Sequence, residues 1–149
     1  MKYPPIDKEK VKMLIGEIQE SIARLSKFSG ISAEEFKRDK DNYAVAEHHL
    51  RRALEGVLSL GTHILSRIPG GAKAKDYTEV LLSLGKFNVL PSDFAQKIRQ
   101  MAGYRNRLVH LYWEVTDEEM LEKIKDRLDD FDMFCKYILE YVKKQSNEK

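Results

Sequence analysis

The chain predicts an all-α protein, folded as an up-and-down bundle of four to five helices. Three observations predict it. Apolar residues recur at steps of three and four along nearly the whole sequence. No segment shows the apolar–polar alternation of a strand. Capping signatures and turn residues separate the periodic stretches at helix-length intervals. With no internal repeat and no linker, the 149 residues read as a single domain, 1–149, long enough to bury a core.

Val11, Leu14, Ile15, Ile18, Ile22 and Leu25 define a first helix over about 7–27, with Asp7 as its N-cap. Gly30 interrupts the pattern. Ser32-Ala33-Glu34-Glu35 is a capping box that opens a short helical turn. A long helix follows over about 41–67, carrying Tyr43, Ala46, Leu50, Ala53, Leu54, Val57 and Ile64 on one side, and Pro69-Gly70-Gly71 ends it. A short helix is expected over about 77–86. Ser92 or Asp93 caps the next, which runs to residue 110 or beyond. Thr116-Asp117-Glu118-Glu119 is a second capping box. It starts a final helix with Met120, Leu121, Ile124, Leu128, Phe131, Phe134, Ile138 and Val142 in register, and the tail 143–149 is expected to fray.

Apolar residues make up 42% of the chain and charged residues 34%, with a net charge of +2 that selects no partner. The distribution says more. Residues 93–112 carry Lys97, Arg99, Arg105 and Arg107 against Asp93 alone. Such a strip suits a phosphate-contacting surface, and equally an ordinary solvated helix face. Cys135 is the only cysteine, so no intrachain disulfide forms; its apolar neighbours make it a core residue. No apolar run approaches the ~20 residues that span a bilayer. The opening Met1-Lys2-Tyr3-Pro4-Pro5 lacks an apolar signal core, so a cytoplasmic location is expected.

The stretch Arg105-Asn106-Arg107-Leu108-Val109-His110-Leu111-Tyr112 concentrates the chemistry. An imidazole, whose ordinary pKa is ~6.5, can take a proton from a ribose 2′-hydroxyl. An arginine can fork onto a phosphate and stabilise its growing charge. Asn106 can orient His110 or bond the substrate, and Tyr112 can bond a phosphate oxygen or stack on a base. Asn106 and His110, four apart, share a helix face. Arg105 and His110, five apart, lie ~140° apart round the axis. Either the helix ends or distorts near His110, or two copies of the motif meet across a symmetric dimer. A competing reading makes the stretch a helix C-terminus whose basic residues complement the helix dipole. Nothing nearby resembles a metal cage, and no cofactor is expected. Lys97, Arg99 and Arg107 are candidate RNA contacts of a purely electrostatic kind.

The other candidates have bland readings beside the sharp ones. His48 and His49 point ~100° apart and chelate poorly, and His63 lies about four turns further on. Asp39 and Glu47 either approach the cleft or are solvated. Glu55 sits among apolar neighbours as a partner for an arginine or as a simple edge residue. Trp113 stacks on a base, packs on the last helix or lies at a dimer seam. Gly70-Gly71 lacks the flanking residues of a phosphate loop and is a turn.

The pattern Arg105-x4-His110-x-Tyr112 resembles the signature of HepT toxins in the HEPN superfamily. So do Asp39, the run from Ala44 to Leu50, Glu55, Tyr77-x-Glu79-Val80-Leu81, Met101-Ala102-Gly103-Tyr104 and Asp130-Phe131. The resemblance covers nearly the whole chain. It implies a helical homodimer with the motif in a cleft between protomers, acting as a metal-independent ribonuclease toxin of a type VII toxin–antitoxin system. It further implies a nucleotidyltransferase antitoxin, MntA, that adds AMP to the motif tyrosine. Carried onto this sequence, Arg105 and His110 become the catalytic pair, Asn106 a supporting residue, and Tyr112 a site residue and AMP acceptor. The rival from a different class is a non-catalytic module that docks a nucleotidyltransferase or a nucleotide through the same motif.

Overall fold

The computed structural model describes residues 4–147 and is helical, with no strand among them. Seven α-helices follow in order: α1 (Lys8–Leu25), α2 (Ala33–Arg38), α3 (Lys40–Leu65), α4 (Tyr77–Lys86), α5 (Ser92–Ile98), α6 (Gln100–His110) and α7 (Asp117–Asn147). Short 3-10 turns at Ser26–Phe28, Gly71–Lys73 and Tyr112–Glu114 link them.

Local chemistry sets most of the boundaries. The Asp7 carboxylate accepts from the Lys10 backbone N–H at 3.1 Å and starts α1. Ser32 and Thr116 accept from the N–H groups of Glu35 and Glu119, three residues on, as their capping boxes predict. Gly70 takes a left-handed φ of 82°, which a glycine adopts without steric cost, and turns the chain after α3. Three boundaries differ from expectation. The stretch from 92 to 110 is divided at Arg99 into α5 and α6, and Pro91 stands at the cap position of α5, not Ser92 or Asp93. The tail expected to fray is helical through Asn147; residues 148 and 149 lie outside the described part.

The core runs along α3, against which α1, α4, α6 and α7 pack. Ile18, Leu25, Leu54, Leu58, Leu60, Ile64, Leu81, Leu84, Leu108, Ile124, Phe134 and Ile138 are buried. Each such side chain contributes about 1.5–3 kcal/mol relative to exposure. Gly56 allows α1 close to α3, since a Cβ there would meet Ile18 Cγ1 at 2.6 Å. Cys135 belongs to this core, where burial pushes its thiol pKa up to about 12. His63 is also buried, and its Nε2 accepts from the Asp7 backbone N–H at 3.1 Å, pinning the start of α1 to α3. No group of three or more His, Cys, Asp or Glu among the described residues is placed to hold a metal. No described helix is long and apolar enough to cross a membrane.

Candidate active site

Helix α6 presents three different sides. Met101, Tyr104 and Leu108 turn into the core. Arg105 lies on the edge facing α3 and α4. Its Nε donates to Glu55 Oε1 at 2.5 Å, and its Nη1 donates to Asn106 Oδ1 at 3.1 Å. The guanidinium carbon lies 5.1 Å from the centroid of the Tyr77 ring. A charged pair, an amide and an aromatic ring thus fix the guanidinium from three directions. Its Nη2 makes no hydrogen bond to the described residues. Of the readings open for Glu55, the structure selects partner of an arginine.

His110 is the last residue of α6 and is exposed. Leu111, at φ −134° and ψ 39°, breaks the helix, so Tyr112 lies on a separate 3-10 turn. The hydroxyl of Tyr43 latches that turn, donating to the Val115 carbonyl at 2.8 Å and lying 3.3 Å from the Tyr112 carbonyl. Burial, then the nearby Glu47, Asp117 and Glu119 carboxylates, raises the Tyr43 pKa and keeps this donor protonated. Gly103, Asn106 and His110 form the solvent-facing stripe of α6.

The turn after α6 is more open than expected. Leu111 is 38%, Tyr112 55% and Trp113 68% exposed. Trp113 does not pack on the last helix; it meets Tyr112 edge-on, with ring centroids 5.5 Å apart. Among the cations, Arg107 points to the opposite edge of α6. One of its nitrogens reaches both Glu119 oxygens, at 2.9 and 3.1 Å. Lys97 pairs with the buried Asp130 at 3.0 Å, and Arg99 bonds Gln96 at 3.0 Å. Sequence reasoning saw free cations here because their partners lie on other turns and helices. It read Tyr43 only as an apolar-face residue and Tyr77 only as part of the HepT-like pattern, and gave neither a role at the site. For Tyr77 a local signal existed: the Asp76-x-x-Glu79 capping pattern places it at the first turn of α4.

Asp39 caps α3, accepting from Asp41 N–H at 3.0 Å. The His48 and His49 rings meet edge-on, 4.9 Å apart. Arg107 and Lys123 flank the ring of Tyr104, whose buried hydroxyl has no hydrogen-bond partner among the described residues and a raised pKa, chiefly from burial.

The described chain is an all-helical bundle with Arg105 held at mid-helix and His110 exposed at the end of the same helix. The chain belongs to the family described as "Ribonuclease HepT-like", whose model matches residues 18–138. It is 28% identical over 120 residues to the "tRNA nuclease HepT" of Aphanizomenon flos-aquae (strain 2012/KM1/D3), covering 79% of this chain and 80% of that protein. Its fold is similar to the tri-AMPylated Shewanella oneidensis HEPN toxin solved in complex with MNT antitoxin. That match has a TM-score of 0.78 and 22% identity, over 88% of this chain and 97% of that one. It is also similar to YutE from Bacillus subtilis, a cytosolic protein of unknown function, with a TM-score of 0.78 and 17% identity, over 97% and 95% of the chains.

Proposed function

We propose that this chain is a cytoplasmic ribonuclease toxin that cleaves RNA without a metal ion and is silenced by a nucleotidyltransferase antitoxin of the MntA kind. The observation that carries the proposal is the fixed Arg105, with a free Nη2, on the same short helix as the exposed His110.

In this reading His110 accepts the proton of a ribose 2′-hydroxyl. The 2′-oxygen attacks the adjacent phosphorus, and the bond to the 5′-oxygen breaks. The products are a 2′,3′-cyclic phosphate and a 5′-hydroxyl that takes up a proton. Arg105 stabilises the charge on the non-bridging oxygens. Asn106 supports the pair by accepting from Arg105. Tyr112, exposed and close in sequence, is the second supporting residue and the AMP acceptor. An AMP group there brings negative charge and bulk where a substrate phosphate would sit. Lys97, Arg99 and Arg107 contribute at most through long-range attraction, because each already has an intramolecular partner.

The rotational mismatch between Arg105 and His110 is relieved in a homodimer in which two motifs flank one groove. Gly103 supports this arrangement. A mid-helix glycine costs about 1 kcal/mol relative to alanine, and a Cβ at Gly103 would meet nothing within 4 Å of its own chain. The open space at that position leaves room for the close approach of a second copy. A second reading, a non-catalytic module that docks the nucleotidyltransferase, draws on the exposed Leu111, Tyr112 and Trp113.

The deciding experiment is incubation of total RNA with purified wild-type and His110→Ala protein in excess EDTA, with end-group analysis. Cleavage by the wild type alone, leaving 2′,3′-cyclic phosphate, is the expected result. An intact RNA pool after treatment with folded, unmodified wild-type dimer would establish the docking module instead.

A further inference from the structure

Next to the first turn of α4, and reaching Asn106 of α6, lies a hollow of about 480 Å³ bordered by Thr62, Lys75, Tyr77, Val80 and Asn106. Its size falls in the ~300–1,000 Å³ range of small-ligand sites. We infer that this hollow is a nucleobase subsite, in which Tyr77 stacks on a base flanking the phosphate held by Arg105. The inference rests on the ribonuclease reading for its orientation, but its chemistry stands on the residues themselves.

Tyr77 opens α4 and is 36% exposed rather than folded into the core. The Arg105 guanidinium carbon lies 5.1 Å from the centroid of that ring, and Tyr77 also borders the hollow. An aromatic face backed by an arginine is a stacking platform for any base. The platform is held still. Asp76 Oδ1 accepts from Glu79 N–H at 2.8 Å, and Glu79 Oε2 accepts from Lys75 N–H at 2.8 Å. These two reciprocal bonds fix the turn on either side of Tyr77, so little ordering entropy is lost when a base binds.

Hydrogen bonding at the same place suits a base edge. The Asn106 oxygen is occupied by Arg105, which leaves its Nδ2 with two donors and no partner among the described residues. Those donors match the exocyclic oxygens and ring nitrogens that every base presents as acceptors. The Thr62 hydroxyl adds an adaptable donor or acceptor, and the Lys75 ammonium, in no ion pair among the described residues, suits the neighbouring phosphate. One arginine thereby couples two tasks, with its phosphate-facing edge beside its base-facing platform.

The test is binding, read by fluorescence anisotropy, of short oligoribonucleotides to His110→Ala protein, which leaves the RNA uncut. A set carrying a single abasic residue at each position in turn is compared with the intact oligonucleotide. One abasic position is expected to weaken binding about tenfold. In the Tyr77→Leu background that position is expected to make no difference, and Tyr77→Trp is expected to restore it. Equal weakening of intact and abasic RNA by Tyr77→Leu would show an effect through Arg105 alone and overturn the subsite. So would an abasic penalty that survives Tyr77→Leu in a protein of unchanged melting temperature. Wild-type cleavage is measured separately. A base-dependent Tyr77 effect without any cleavage leaves the subsite standing and removes the nuclease.

Discussion

Glu55 on α3 and Arg105 on α6, fifty positions apart, meet in an ion pair of 2.5 Å that aims the motif arginine along the face shared with Tyr77. The contact is made through Nε, the one guanidinium nitrogen that does not take part in a terminal fork. Glu55 therefore orients Arg105 while leaving Nη2 without a partner among the described residues.

Replacing Glu55 tests that division of labour. Glu55→Ala is expected to lower kcat by roughly 10²-fold, the scale of a misaligned catalytic group. Glu55→Gln, whose amide oxygen still accepts from Nε, is expected to keep most of the activity. KM should change less than kcat in both. Equal losses in the two variants, accompanied by equal falls in melting temperature, would make Glu55 a structural residue only.

Tyr112 tests the regulatory side of the proposal. Tyr112→Phe removes the hydroxyl that would accept AMP while preserving the ring. With the cognate nucleotidyltransferase and ATP, the variant is expected to gain no AMP mass and to stay toxic during co-expression. Full inhibition, with AMP found on another residue, would remove Tyr112 as the acceptor.

Gly103→Ala separates folding from self-association. The added methyl has open space on its own chain, so the protomer should gain up to ~1 kcal/mol from helix propensity. Sedimentation should show weaker dimerisation, because the methyl lies on the stripe shared with Asn106 and His110. An unchanged dimer constant would move the seam elsewhere.

His63 makes stability depend on pH. Burial lowers its pKa, helped by Arg67 and Lys10 and opposed by Asp7. Unfolded, the imidazole titrates near ~6.5. Between the lower folded value and ~6.5 the unfolded chain binds more protons. The stabilisation is therefore complete above ~6.5 and is lost as pH falls from there through the folded value. Protonation also removes the lone pair that accepts from Asp7 N–H. Urea titrations should show this loss, and His63→Gln, which retains an acceptor, should flatten it. His49, lowered first by burial and then by His48, acts in the same direction, so some slope should remain. An identical slope in His63→Gln would assign the whole effect elsewhere.

Helix order, the N-caps at Asp7, Ser32 and Thr116, and the all-α class were legible in the sequence, as was the motif itself. Each depends on residues within a few positions of one another: apolar spacing, a side chain bonding an N–H three residues on, a glycine free to turn. Glu55 was legible only as a partner for some arginine or as a simple edge residue.

Which partner it took, and what every other charge near the motif was doing, came from the tertiary structure. Lys97 neutralises the buried Asp130, Arg107 holds Glu119 across to α7, and Trp113 stands out in solvent rather than on the last helix. The rotation at which α6 seats against α3, α4 and α7 decides these pairings. Packing of the whole core sets that rotation, and the spacing of residues 105–112 does not carry it. By itself, then, the sequence determined the helices and the candidate site residues. The bundle decided which of those groups are held, which are occupied and which remain free.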